Sequence, residues 1–152
     1  AVDRGGWLHT GDVGWLGEDG YLRIIDRKKD IFIVGGFNVS AAEVESIILR
    51  RDDVAQVAVV AAPDERMGEV GAAFVVPRPG HHPDPAEIIS WCRERMANFK
   101  APRYIYLIEA LPTTSTGKIQ KPELRNRAEA LVRARGSGLP GRHNPTTKET
   151  AP

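Results

Sequence analysis

Val54-Ala-Gln-Val-Ala-Val-Val-Ala-Ala62 and Val70-Gly-Ala-Ala-Phe-Val-Val76 are two apolar runs separated by a short polar stretch. Both are rich in β-branched residues, which favour strands. Each run is followed directly by a proline, Pro63 or Pro77, and this is typical of a strand end. The two runs therefore predict two strands of one sheet.

The chain after these runs alternates between helix and strand patterns. Pro85 opens a segment with an apolar stripe at helical spacing, and Pro122 opens another. Between them, Tyr104-Ile-Tyr-Leu-Ile108 predicts a third strand. Together these elements predict a small α+β domain with a three-stranded sheet covered by helices.

The chain before the sheet combines short strand patterns with a helix start. Residues 5–34 contain strand-like runs around the turn cluster Gly17-Glu-Asp-Gly20. Asp26-Arg-Lys-Lys-Asp30 interrupts these runs, either as a joint between modules or as a plain hairpin turn. Ser40-Ala-Ala-Glu43 has the pattern of a capping box, so a helix is predicted from there to about Arg50.

The composition predicts one compact domain with appendages. The chain has 152 residues with 41% hydrophobic content, which is enough for one modest core. Its 21 basic and 20 acidic side chains nearly cancel, so there is no electrostatic reason to expect nucleic acid or a membrane surface as the main partner. No run approaches the ~20 apolar residues of a spanning helix, and no transmembrane segment is predicted.

The single cysteine and the two ends of the chain lead to further expectations. Cys92 excludes an internal disulfide framework, and its place in an amphipathic run favours packing over catalysis. A reducing, cytoplasmic location is predicted. The polar, Gly- and Pro-containing residues from Gly136 onward predict a disordered tail. Because the chain begins at Ala1 rather than Met, we expect a fragment of a longer protein.

Lys118 is the strongest single candidate for chemistry, because it lies on a short polar loop in Pro112-Thr-Thr-Ser-Thr-Gly-Lys118. A lysine there can direct a full positive charge at a reacting phosphate or carboxylate. A P-loop needs Gly six positions before the lysine and Ser or Thr directly after it, whereas this chain has Pro112 and Ile119. A flexible surface lysine is the plain alternative.

Three other features can bind a ligand, and each also has a structural explanation. Asp12 can accept two hydrogen bonds from a vicinal diol such as a ribose, or it is an ordinary turn residue. Arg27 and Lys29 can bind phosphate or ribose oxygens, or they form a solvated face. Gly35-Gly-Phe-Asn38 lets a ligand approach the backbone closely, or it is a turn with positive φ. The histidines lack ligand spacing, so no metal site is assigned.

Five ordered motifs resemble the adenylate-forming (AMP-binding) superfamily, most closely the acyl-CoA synthetases of the fatty-acid–CoA ligase type. They are Trp7-Leu-His-Thr-Gly-Asp12, Gly20-Tyr-Leu-Arg-Ile-Ile-Asp-Arg-Lys-Lys-Asp30, Gly35-Gly-Phe-Asn-Val-Ser-Ala-Ala-Glu43, Phe99-Lys-Ala-Pro102 and Leu111-Pro-Thr-Thr-Ser-Thr-Gly-Lys118-Ile119. The resemblance implies that residues 1–28 are strands from the end of the large AMP-binding domain. Residues 29–134 are then the small C-terminal domain, whose three-stranded sheet is accompanied by a short two-stranded piece, and 135–152 are the tail.

The resemblance also implies roles in binding the nucleotide and in adenylation. Asp12 matches the aspartate that binds both ribose hydroxyls of ATP, and Arg27 matches an arginine that contacts the nucleotide. Lys29 matches the hinge about which the small domain swings between an adenylating and a thioester-forming pose. Lys118 matches the catalytic lysine that contacts the substrate carboxylate and the α-phosphate in the first pose.

A second group of residues is implied to bind CoA. Gly35, Gly36 and Phe37 match the loop that lines the pantetheine tunnel, and Phe99 matches an aromatic residue beside the CoA adenine. Ala101 departs from a basic residue that some relatives have nearby.

The implied enzyme uses ATP and CoA as substrates with a carboxylic acid, and its Mg²⁺ is expected on the large domain. No stretch of this chain matches the phosphate-binding loop, the adenine pocket or the acyl pocket of that domain. The chain alone is therefore expected to be inactive, with the large domain as its partner, and aliphatic, aromatic and polycyclic acids all fit. One alternative is an adenylating enzyme that loads an acyl carrier protein. The other is a non-catalytic partner-binding or regulatory module in which Lys118 is merely exposed.

Overall fold

The computed structural model describes residues 2–136 and confirms the predicted α+β class. The elements are, in chain order, β1 (Asp12–Leu16), β2 (Leu22–Arg27), a 3-10 turn (Lys28–Asp30), β3 (Ile31–Val34), β4 (Phe37–Ser40), α1 (Ala41–Ile48), β5 (Val54–Asp64), β6 (Gly68–Pro77), α2 (Pro85–Arg95), β7 (Tyr104–Leu107) and α3 (Lys121–Gly136). The helix α3 includes Arg135 and Gly136, which the prediction assigned to the tail. The rest of the predicted tail, residues 137–152, lies outside the described residues.

The main sheet is built on the long antiparallel pair of β5 and β6. On the other side of β6, β7 pairs with it in parallel, and the β3–β4 hairpin meets β6 at the single pair Val34↔Gly68. The predicted three-stranded sheet and two-stranded piece are thus both present. They are joined into one five-stranded sheet through that pair.

Both long strands include the prolines that were expected to end them. β5 continues through Pro63 to Asp64, and β6 includes Pro77. The Val59 amide donates to the Glu45 carboxylate at 2.7 Å instead of to β6, so every second residue from Val59 directs its backbone groups away from β6. Pro63 is one of these residues. It has no N–H group, but at this position an N–H would not bond to β6, so the proline costs the sheet no hydrogen bond.

The core lies between the sheet and the three helices. Its largest fully buried side chains include Phe74 of β6, Ile48 of α1, Ile88 of α2 and Leu124 of α3. Cys92 is 0% exposed in this core, and burial raises the pKa of its thiol to about 11. The prediction that Cys92 packs rather than reacts is confirmed.

The first two strands form a separate antiparallel sheet. Its large apolar side chains, and those just before it, are mostly open to solvent, with Trp7 75%, Leu16 68% and Tyr21 72% exposed. Within the described part of the chain, no helix combines the length and apolar character that crossing a membrane requires.

Candidate functional site

Lys118 lies at the end of a tight hairpin. Thr113 and Ile119 form an isolated β-bridge, inside which the Thr114 amide donates to the Lys118 carbonyl at 2.8 Å and the Gly117 amide donates to the Thr114 carbonyl at 2.9 Å. This is the pattern of a three-residue hairpin loop with a left-handed last residue, and Gly117 has φ +80°. The backbone of Lys118 is therefore held in place. Its side chain is exposed, and none of the side chains described among residues 2–24 and 27–135 forms an ion pair or hydrogen bond with its ammonium group.

The hairpin borders an open cavity of about 620 Å³, which we call the cationic groove. Lys118, Lys121 and Arg125 line it on the side of the hairpin and α3, and Arg27 and Lys29 line it on the side of the turn after β2. The described lining residues thus include five cationic side chains and one carboxylate, that of Asp30. Such a concentration of positive charge attracts anionic ligands.

Asp12 and Arg27, the two predicted nucleotide residues, lie directly opposite each other in the β1–β2 ladder. The Arg27 Nε is 3.5 Å from Asp12 Oδ1. Arg27 and Lys29 also line a second cavity, of about 350 Å³, beside Thr10 and Gly11. The structure thus brings Arg27, Lys29 and Lys118 to two cavities that share Arg27 and Lys29. Asp12 lines neither cavity, but it follows Gly11 of the second one and pairs with Arg27.

A β-bulge sets the pairing of Asp12 with Arg27. The register is regular from Leu16↔Leu22 to Gly14↔Ile24, and then it shifts by one residue between Val13 and Gly14. Without the shift, Asp12 would pair with Asp26 in place of Arg27. Because of the bulge, the basic residue Arg27 rather than the acidic residue Asp26 lies opposite Asp12, the predicted ribose-binding residue.

Gly35 and Gly36 form the two-residue turn of the β3–β4 hairpin. Their φ values of +56° and +93° suit the type of turn that matches strand twist, so the turn explanation of this pair is confirmed. A Cβ on Gly35 would lie 2.5 Å from Met67 Cε, whereas a Cβ on Gly36 would meet nothing within 4 Å. The fold thus needs Gly36 for its backbone conformation only, and the space above it is open to a ligand.

Phe37 and Phe99, two of the predicted CoA residues, are in direct contact. Their rings stack with centroids 4.7 Å apart, and Phe37 is 59% exposed. The next residue, Lys100, donates to both oxygens of Glu43 at 2.7 and 2.9 Å, which ties the Phe99 segment to the start of α1. Ala101 packs partly against the core.

We call the surface formed by Gly35, Gly36, Phe37 and Phe99 the aromatic face. It lies at the turn end of β3, whereas the cationic groove lies at the other end, beside the 3-10 turn. The four residues of β3 separate the two by about 13 Å at the usual rise of a strand. The structure therefore divides the predicted site residues into two groups at opposite ends of one strand.

Three side chains that support the groove, those of Glu45, Lys121 and Arg125, were not predicted as site residues from the sequence. The Lys121 Nζ lies 2.8 Å from Glu45 Oε1, on the carboxylate that also accepts the Val59 amide. An Arg125 Nη donates to the Lys29 carbonyl at 3.0 Å. No local pattern indicates these contacts, because each joins residues that are far apart in the chain.

Comparison with known proteins gives the family. The model of the AMP-binding enzyme C-terminal domain matches residues 43–118, which include most of α1, the strands β5, β6 and β7, and Lys118. The chain belongs to this family. The resemblance to adenylate-forming enzymes that the five motifs indicated is thereby confirmed.

Relatives and solved structures extend the comparison. The chain is 54% identical over 125 residues to the 3-[(3aS,4S,7aS)-7a-methyl-1,5-dioxo-octahydro-1H-inden-4-yl]propanoyl:CoA ligase of Mycobacterium tuberculosis, covering 82% of this chain and 25% of the relative. It is 45% identical over 122 residues to the fatty acid–[acyl-carrier-protein] ligase ScoC of Streptomyces coeruleorubidus, covering 80% and 24%. The fold matches ATP-bound MatB from Rhodopseudomonas palustris with a TM-score of 0.78 at 35% identity, covering 86% and 26%. The chain thus spans about a quarter of the length of these proteins.

Proposed function

We propose that the chain is the C-terminal lid of an ATP-dependent carboxylic acid–CoA ligase. The observation that supports this most is Lys118, which projects from a hydrogen-bonded hairpin at a groove shared with Arg27 and Lys29. Its ammonium has no ion-pair or hydrogen-bond partner among the side chains that the structure describes. In adenylation, a carboxylate attacks the α-phosphorus of ATP and pyrophosphate leaves, so negative charge builds on the phosphorus oxygens. A fixed cation that meets this charge stabilises the transition state more than the ground state.

The aromatic face gives the lid a second role. In the thioester-forming pose, the open side of Gly36 would line the path of the CoA thiol, and the Phe37–Phe99 stack would support the CoA adenine. The two surfaces lie at opposite ends of β3, so presenting one of them to a fixed active site withdraws the other. A swing about Lys29, in the short turn between β2 and β3, would exchange them.

The partner that this proposal requires is a large AMP-binding domain. Residues 1–28 would be its end, which agrees with the separate β1–β2 sheet and its exposed apolar side chains. Asp12 and Arg27 would hold the ATP ribose and phosphate region there. The large domain would supply the acyl pocket, the phosphate-binding loop and the ligands of Mg²⁺, and the cytoplasmic location stays a prediction.

A carrier-protein thiol is the second candidate acceptor. The observation that favours it is the similarity to a fatty acid–[acyl-carrier-protein] ligase at 45% identity. Both acceptors present a phosphopantetheine thiol, so the role of Gly36 is the same for each. Only free CoA would place an adenine near Phe99, and comparing CoA with pantetheine as acceptors distinguishes the two.

The experiment that tests the proposal is Lys118→Ala in the longer protein, with the two half-reactions measured separately. Loss of one preorganised charge should lower the rate of acyl-adenylate formation by about 10² to 10³. Thioester formation from supplied acyl-adenylate should continue at the wild-type rate, and Lys118→Arg should retain part of the adenylation activity. An equal loss in both half-reactions would show that Lys118 does not have this role.

Calorimetric titration of the 152-residue chain with ATP tests the need for the large domain. We expect no measurable binding, because Asp12 and Arg27 alone offer an exposed ion pair to the nucleotide. Micromolar affinity would contradict the proposed division of the active site between two domains.

A further inference from the structure

The contact between Arg125 and the turn that contains Lys29 joins the two walls of the cationic groove. Arg125 lies on α3, and one of its Nη atoms donates to the main-chain carbonyl of Lys29 at 3.0 Å. The turn is short, since Arg27 (φ −89°, ψ 139°) and Ile31 (φ −88°, ψ 133°) on either side of it are already extended. A side chain from a distant helix therefore holds the middle of a three-residue connection.

The helix that presents Arg125 is fixed to the core. Leu124 and Ala128 are 0% exposed and anchor α3 on the sheet. Lys121, one turn before Arg125 and on the same side of the helix, pairs with Glu45 of α1 at 2.8 Å. Arg125 thus offers its guanidinium from a rigid support, and the carbonyl that it binds becomes part of the same rigid unit.

Backbone geometry decides what this contact permits. The Lys29 carbonyl belongs to the planar peptide between Lys29 and Asp30, which moves as one unit. Rotation about φ or ψ of Lys29 turns the chain before this peptide and leaves its carbonyl with the downstream domain. Rotation about φ of Asp30 instead swings the carbonyl away from α3 and breaks the bond from Arg125.

We infer that Arg125 is a positioning residue that pins the Lys29–Asp30 peptide to α3 and confines the pivot to Lys29 and the residues before it. The functional consequence of the pin rests on the proposed swing of the lid. With the hydrogen bond from Arg125, the rotation that exchanges the cationic groove for the aromatic face takes place before the Lys29–Asp30 peptide. Without it, rotation at Asp30 adds a further axis, and Lys118 is positioned less accurately.

Pulsed electron paramagnetic resonance on the 152-residue chain tests the pin. Spin labels at Glu18→Cys, in the β1–β2 turn, and Glu109→Cys, after β7, report the distance across the connection. Both positions are exposed, and Cys92 can stay because it is buried and its thiol has a raised pKa of about 11. Arg127→Ala is the matched control, because Arg127 is an exposed arginine on the same helix that does not line the groove.

Arg125→Ala should widen the distance distribution, because loss of the hydrogen bond from the charged guanidinium permits rotation about φ of Asp30. Arg125→Lys retains a donor and should give a width between those of wild type and Arg125→Ala, while Arg127→Ala should leave the width unchanged. The pin is refuted if Arg125→Ala has the wild-type width, or if Arg127→Ala broadens the distribution equally. No substrate is present, so this outcome is independent of the ligase proposal, which the Lys118→Ala half-reactions test separately.

Discussion

The cationic groove and the aromatic face lie at the two ends of one short strand, and they are built by different means. The groove presents exposed charges from a hydrogen-bonded hairpin, a helix and a turn. The face presents a glycine turn and two stacked rings. Lys118, Lys121 and Arg125 of the groove are attached to the same buried core as the face, whereas Arg27 lies on β2, on the other side of the 3-10 turn. A swing about Lys29 would therefore move these three cations together with the face and change their position relative to Arg27. The change of state is therefore expected in the connection at residues 28–30.

The largest effect after Lys118→Ala is expected for Gly36→Val in the longer protein. A side chain on the open side of Gly36 would displace the CoA thiol, and a misplacement of about 1 Å can cost on the order of 10²-fold in rate. Thioester formation should fall by this factor while adenylation continues, as measured in separate half-reaction assays.

Gly80→Val is the control for backbone strain. Gly80 has φ +79° and, as at Gly36, a Cβ added there would meet nothing within 4 Å, but Gly80 lies in the loop before α2. A similar loss of thioester formation in Gly80→Val would attribute the Gly36 effect to strain and remove the aromatic face from the mechanism.

Phe99→Ala should have a smaller effect, confined to the aromatic face. It removes a ring stacked at 4.7 Å on Phe37, a type of contact that contributes about 0.5–1.5 kcal/mol beyond area burial. We expect KM for CoA to rise about three- to tenfold, with adenylation unchanged. Phe99→Tyr retains the ring and should stay near wild type. A rise in KM for ATP instead would place Phe99 outside CoA binding.

The smallest effect is expected for Glu45→Gln. Glu45 supports the cationic groove through its contact with Lys121. The amide can still accept from the Val59 N–H, but the ion pair with Lys121 is lost. Urea unfolding of the 152-residue chain should show a free energy of unfolding lower by about 0.5–1 kcal/mol. Glu129→Gln, which removes the more exposed pair with Arg133, should change it less. If Glu129→Gln is the more destabilising of the two, the Lys121–Glu45 pair is not an anchor.

The core strands could be predicted from the sequence because strands buried on both faces require continuous apolar runs, as in Val54–Ala62. The strand ends were predicted wrongly at Pro63, because the pattern does not show which way a residue directs its backbone groups. That direction depends on the edge position of β5 and on Glu45, which lies on another element.

Site residues could be predicted where they belong to a local sequence motif. They could not be predicted where their role depends on a contact with a residue far away in the chain. Lys118 was found from its loop, but the hairpin geometry required the φ of Gly117 and the Thr113–Ile119 bridge. Arg125 could not be found, because a helical arginine with a backbone partner 96 residues away has no sequence signature. The roles of Asp12, Arg27, Lys29, Lys118 and the aromatic face stay predictions for the experiments above.

The β1–β2 bulge makes the two strands of this ladder unequal in the changes of length that they tolerate. Loss of the one extra residue between Ile24 and Arg27 would leave Arg27 opposite Asp12, now in a regular register. Loss of Val13 from β1, with the bulge retained, would instead place Arg27 opposite Gly11 and move Asp12 along the ladder. A deletion that removes no proposed functional residue would thus separate the nucleotide pair, so at this place the length of β1 is constrained more strictly than the length of β2.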